Sequence, residues 1–184
     1  TAEKGTELFS MVLNVKLKMP KKEQESKWFL KTHEILSRNG YQAYEISNFS
    51  KPGYECNHNL HYWNIEPYLA FGPSAHGFDG KYRWNNSRSL NQYINCISSG
   101  KSAISMREKI STIEHINEKV GFGLRMKKGF EIKDIPRKYH KLLKNNIENA
   151  QEKYPDCINT KGNNVTFTQK GMLYADELIP SILL

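Results

Sequence analysis

The sequence predicts an α+β chain in two parts, a helix-to-strand unit with aromatic segments over 1–100 and a helical, winged-helix-like domain over 101–184. Three observations lead there. A long amphipathic helix pattern runs into alternating residues; a stretch rich in aromatics and glycine comes next; beyond Ser87 short helical patterns take over, which sets a domain boundary between about 86 and 110.

In "KKEQESKWFLKTHEILSRNG", Phe29, His33 and Leu36 share one helical face, Trp28, Thr32 and Ile35 lie beside them, and Gly40 suits the left-handed cap. "YQAYEISNF" alternates Tyr44 and Ile46 against Glu45 and Ser47, so a strand is expected, ended by the turn "KPG". The segment between Pro52 and Pro67 does not read as helical throughout. "YLAFGPSAHGF" reads as a buried strand opening into a tight loop at Gly72, Pro73 and Gly77, and "KYRWNN" as a short strand. "SLNQYINCISSG" and the residues after it are expected to be helical. Ser111 and Glu114 make a capping box for a helix carrying Ile113, Ile116, Val120 and Leu124 toward Gly129, and Gly121 and Gly123 imply close packing on a neighbour. Tyr139, Leu143, Ile147, Ala150 and Tyr154 give a further helix. "CINTKGNNVTFTQKG" is a hairpin turning at Gly162 and Asn163, and a last helix is expected over about 169–183.

A chain of 184 residues with 38% hydrophobic content can bury a sizeable core, which argues against disorder. No apolar run approaches the roughly 20 residues of a membrane span, and the first residues do not read as a signal peptide, so a cytoplasmic location is expected. Cys56, Cys96 and Cys157 are odd in number and widely spaced, which fits neither a disulfide framework nor a CxxC zinc site; Cys56 is expected to be a buried thiol. A net charge of +8 favours an anionic partner without selecting nucleic acid, acidic lipid or a carboxylate-bearing small molecule.

The ordered elements "YEISNFSKPGYECNHNLHYW", "YLAFGPSAHGF", "RWNN", "NEKVGFGLRMKKGF" and "FTQKGMLYADELI" resemble the second half of the HemW proteins, radical-SAM relatives of oxygen-independent coproporphyrinogen III oxidase. The resemblance covers nearly the whole chain. It implies late βα elements of a partial (β/α) barrel, then a smaller helical domain, and a role in haem delivery rather than porphyrinogen oxidation. In that family the intact protein holds a [4Fe-4S] cluster and S-adenosylmethionine, but the CxxxCxxC cluster motif is absent here, so this chain alone should not perform radical chemistry. A chain starting in mid-barrel would leave a sheet edge unpaired, so self-association is expected.

The resemblance implies haem binding at the HNxxYW element. His58 is the candidate axial ligand, Tyr62 and Trp63 offer flat surface to the porphyrin, and Asn59 orients the ring or a propionate. A hydrogen-bonded structural histidine is the alternative for His58. His61 holds a variable position of the motif and is a weaker candidate ligand. Gly72 and His76 lie where a glycine-rich loop lets backbone approach a cofactor or substrate, or merely turns the chain. Asn85 and Asn86 read better as a strand end than as ligand contacts. Zinc on His58, His61 and His76 is disfavoured by the expected irregular backbone, and Trp28 and Trp84 read as core. Rival classes are a porphyrinogen oxidase, a winged-helix nucleic-acid binder using the basic tail, and a platform docking a membrane surface or a haem-accepting protein.

Overall fold

A computed structural model describes residues 2–184, which divide into two compact units on either side of the Gly40–Tyr41 junction. The first unit holds two helices. Glu7–Leu13 (α1) is capped by the Thr6 hydroxyl, which accepts from the Phe9 amide at 3.2 Å, and Lys22–Arg38 (α2) is the amphipathic helix expected from the sequence. Phe29, His33 and Leu36 are half-buried, with the Phe29 and His33 rings 4.4 Å apart, whereas Trp28, expected in a core, is 52% exposed.

In the second unit the expected strand at 41–49 is instead two short strands, Gln42–Ala43 (β1) and Phe49–Ser50 (β2), paired antiparallel. The chain folds back between them because buried Glu45 accepts from the Ser47 amide at 2.8 Å and from Asn48 Nδ2 at 2.6 Å. Glu45 and Ile46 are both buried, so burial does not alternate here.

Asn57–Trp63 forms a helix (α3) where an irregular segment was expected. The run 68–75 is not a buried strand either. Only Tyr68 makes a bridge, to Phe78, and Leu69 and Phe71 are 70% and 81% exposed. His76–Phe78 (β3) and Tyr82–Asn86 (β4) pair antiparallel, and Leu90–Ser98 (α4) comes next. Beyond it lies a strand where helix was expected, Ile104–Lys109 (β5), which completes the sheet in the order β3-β4-β5. Its residues are all exposed, so the tertiary pairing with β4 rather than any inside-outside alternation makes it a strand. That pairing bridges the stretch where the sequence places a domain boundary.

Thr112–Arg125 (α5) starts at the capping box, with both reciprocal hydrogen bonds of Ser111 and Glu114 present. Gly123 lies against Phe130, whose Cβ would stand 2.6 Å from an added methyl, so the close approach read from the glycines holds. Phe130–Glu131 (β6), two 3₁₀ turns and His140–Lys153 (α6) lead to the hairpin Ile158–Lys161 (β7) and Asn164–Phe167 (β8), turning at Gly162 and Asn163. The strand order is β6-β8-β7. The last helix is two, Gln169–Leu173 (α7) and Ala175–Ile182 (α8). Val120, Leu124, Leu143, Leu178 and Ile182 are buried together with Val165, and form the core under this sheet.

Candidate functional site

The site is built around α3. Residues i, i+1, i+4 and i+5 of a helix fall on one side, and this is the spacing of His58, Asn59, Tyr62 and Trp63 in α3. The helix ends because Ile65 turns left-handed at φ 59°, an unfavourable conformation for a β-branched residue, while Asn64 and Ile65 amides close the last turn on Leu60 and Tyr62 carbonyls at 2.8 and 3.0 Å.

Asn59, Tyr62 and Trp63 face a cleft of about 510 Å³, completed by Tyr68, Phe78 and His76 from the segments C-terminal to α3, Arg83 from β4 and Phe122 from α5. That is within the range of small-molecule sites. Its rings meet edge-on: Tyr62 and Tyr68 are 4.8 Å apart at 68°, Trp63 and Phe122 5.5 Å apart at 73°. Trp63 is also covered by the Arg125 guanidinium, 5.7 Å from its ring. Asn59 Nδ2 donates to the Tyr44 hydroxyl at 3.3 Å, which fixes its amide.

His58 is exposed, and its ring stands edge-on to Tyr62 at 4.9 Å and 86° with no hydrogen bond to either ring nitrogen among the described residues. It is therefore sterically open to a ligand. His61 points elsewhere: its Nε2 lies 2.8 Å from the Pro67 carbonyl oxygen and its Nδ1 2.8 Å from a Glu66 carboxylate oxygen, so both nitrogens are engaged. His76 is exposed at the start of β3, on the cleft wall. Gly72 has a φ of 96°, and its backbone is used internally, the amide donating to the Tyr93 hydroxyl at 3.0 Å and the carbonyl accepting from Asn86 Nδ2 at 2.9 Å. Buried Asn86 also donates to the Ala70 carbonyl at 3.2 Å, so it ends β4 and ties down the 70–75 loop.

Sequence reading missed Tyr68, Arg83 and Phe122, which come from separate elements. Arg83 donates through Nη1 to Glu118 at 2.7 Å, and this bond, opposed by burial, pushes the guanidinium pKa further up, with Tyr68 adding to it. Cys56, expected buried, is exposed at the start of α3, while Cys96 is half-buried and Cys157 buried. Among the described residues no three His, Cys, Asp or Glu side chains are grouped to hold a metal ion. That arrangement does not fit an iron-sulfur cluster, which takes several protein thiolates. A porphyrin iron needs only one or two protein ligands, so an open histidine beside aromatic walls does fit haem.

No protein-family profile matches the chain. The haem chaperone HemW of Bacillus subtilis is 30% identical over 185 residues, spanning 98% of this chain and 48% of that protein. The chain is HemW-like. The haem chaperone HemW of Mycobacterium tuberculosis matches at 28% identity over 98% of this chain and 45% of its own length, and that of Escherichia coli at 49% identity over 49 residues, 27% of this chain and 13% of that protein. This HemW-like chain thus spans about half the length of the curated relatives it matches. Among solved structures it resembles coproporphyrinogen III oxidase (HemN) from Escherichia coli, a radical SAM enzyme, with a TM-score of 0.69 and 16% identity over 89% of this chain and 42% of that one. That likeness establishes a mixed helix and strand fold of the HemN type.

Proposed function

We propose that this chain carries the tetrapyrrole-binding part of a HemW-like haem chaperone, with the macrocycle against the Tyr62 and Trp63 face of α3 and His58 as a ligand to the iron. One observation carries the reading: of the HNxxYW residues on one helical face, Asn59, Tyr62 and Trp63 line an aromatic cleft, and the uncommitted His58, outside that lining, stacks edge-on against Tyr62. Aromatic walls exclude water from a flat apolar ring, an imidazole nitrogen donates to iron, and haem as cargo need only be held and released. His76, which lines the cleft, is the candidate second contact. Asn59, fixed by Tyr44, orients a polar edge of the ligand, and Gly72 shapes the loop that carries His76.

The finer fold assignment belongs to the same reading: elements of a partial (β/α) barrel come first, and the β7-β8 hairpin with its flanking helices forms a winged-helix-like end. An intact protein of this kind would draw its [4Fe-4S] cluster and S-adenosylmethionine contacts from residues outside this chain, because its three cysteines lie apart. A haem-accepting protein or an acidic membrane surface is the proposed recipient. No helix among the described residues is long and apolar enough to cross a membrane. Self-association would use the exposed edge of β5, where Ile104 and Met106 are 45% and 55% exposed.

A haem titration followed at the Soret band tests the reading, with His58→Ala and His61→Ala as the decisive pair. Saturable binding altered in the His58 variant and intact in the His61 variant is expected, since His61 is committed to Pro67 and Glu66. Equal, weak binding by all three would overturn it.

A further inference from the structure

The cleft contains one charged group that neither the motif nor the ligation of iron requires. Arg83 reaches it from the middle strand of the β3-β4-β5 sheet, where it pairs in register with Phe78 on one side and Glu108 on the other, and its guanidinium lies over the Phe78 ring at 5.4 Å. A guanidinium carries five N–H donors in a planar fork that fits a carboxylate at two points. Glu118 takes one of them, Nη1 to Oε1 at 2.7 Å, with the side chains 27% and 18% exposed, and the Tyr68 hydroxyl is a second neighbour of the guanidinium. Arg83 Nε and Glu118 Oε2 are both buried without a hydrogen-bond partner among the described residues. A fork-on-carboxylate pair, the frequent arrangement of arginine with a carboxylate, would use these atoms. This one leaves a cation half-committed at the wall of an aromatic cleft.

We propose that Arg83 receives a carboxylate of the ligand, using the guanidinium N–H groups that Glu118 and Tyr68 leave unpaired, so that the cleft selects planar aromatic acids over their neutral esters. The inference rests on the tetrapyrrole reading and adds which end of the molecule enters: an acidic side arm goes to Arg83 while the ring lies along Tyr62 and Trp63. Glu118 then serves as the resident counter-ion that keeps the arginine in place and charged when no ligand is bound. A neighbouring cleft of about 600 Å³ shares Trp63 and Ile65, but there Lys128 bonds Asn64 at 2.8 Å and the lining includes Glu131 and Asp134 with Lys119, so its charges are mixed. Arg83 is the cation that lines the aromatic cleft itself, whereas Arg125 covers Trp63 without lining it.

The test compares protoporphyrin IX with its dimethyl ester, both metal-free, by fluorescence titration of the whole chain. The wild type is expected to prefer the diacid by about tenfold, the scale of one charge-assisted contact. In Arg83→Gln the ratio of diacid to ester affinity should fall to about one, and Arg83→Lys, which keeps a charge for Glu118 but not the fork, should lose most of the preference. If Arg83→Gln does not fold, as judged by far-UV circular dichroism, Arg83→Lys decides. An undiminished preference in the folded variants overturns the role of Arg83 while leaving tetrapyrrole binding intact. Failure of the wild type to bind either probe overturns the tetrapyrrole reading, and the assignment of Arg83 with it.

Discussion

Replacing Asn86 with alanine should loosen the 70–75 loop more than any nearby surface change. Its side-chain amide donates to the carbonyls of Ala70 and Gly72 at 3.2 and 2.9 Å, and the residue is 5% exposed. Each neutral hydrogen bond contributes about 1 kcal/mol net, and an orphaned buried carbonyl costs about 1–3 kcal/mol. Ala70 and Gly72 are only half-buried, so water recovers part of the loss. The sum is a destabilisation of about 2–3 kcal/mol, which at a urea slope of about 2 kcal/mol/M moves the midpoint down by about 1–1.5 M. Asn86→Asp should be worse than alanine, because a carboxylate would face two carbonyl oxygens with nothing to donate. Equilibrium urea unfolding measures both variants, and amide exchange at Gly72–His76 should rise in step. A loss under about 0.5 kcal/mol with unchanged exchange would refute the reasoning. The loop would then be held by its other bonds, Ser74 amide to Ser87 carbonyl at 3.0 Å, Asn86 amide to Ala75 carbonyl at 2.9 Å and Gly72 amide to the Tyr93 hydroxyl at 3.0 Å.

Gly171→Ala should cost well over the roughly 1–2 kcal/mol expected of Gly162→Ala in thermal or urea unfolding. An added methyl at Gly171 meets the Cys157 carbonyl oxygen at 2.0 Å, while at Gly162 it meets nothing within 4 Å and suffers only from the φ of 63°. Asp79 is held below its ordinary value chiefly by the amides of Tyr82 and Lys81, and Glu114 chiefly by the Ser111 amide. Both folded values are depressed, so their stabilisation is present above the ordinary carboxylate range and is lost as the pH falls through the lowered values; Asp79→Asn should flatten that acid limb in urea midpoints measured against pH. Burial pushes the Cys157 thiol up. A thiol-reactive probe should therefore label exposed Cys56 quickly and Cys157 only on unfolding; equally fast labelling of both would refute its burial.

Local patterns were legible where the determinants are close in sequence. The α2 periodicity, the Ser111–Glu114 capping box and the Gly162–Asn163 turn each act within a few residues, and each element formed where its pattern lies. The helix at 57–63 was also written in the chain, because the i, i+1, i+4, i+5 spacing of His58, Asn59, Tyr62 and Trp63 is a helical face; the surrounding prolines hid it. By contrast, β5 carries no alternating burial, the reversal at Glu45 depends on Asn48 folding back onto a buried carboxylate, and Cys56 is exposed although its type favours burial.

The sequence by itself determined the likeness to HemW and the HNxxYW residues as the candidate site, since both depend on ordered residues along one stretch of chain. Only the tertiary structure decided which of those residues are available. His61 is taken by Pro67 and Glu66, His58 is left open, and Arg83, Tyr68 and Phe122 arrive at the cleft from elements far apart in the chain. A pocket wall is a meeting of side chains through space, and no local periodicity encodes which distant groups meet there or which of their donors remain unused.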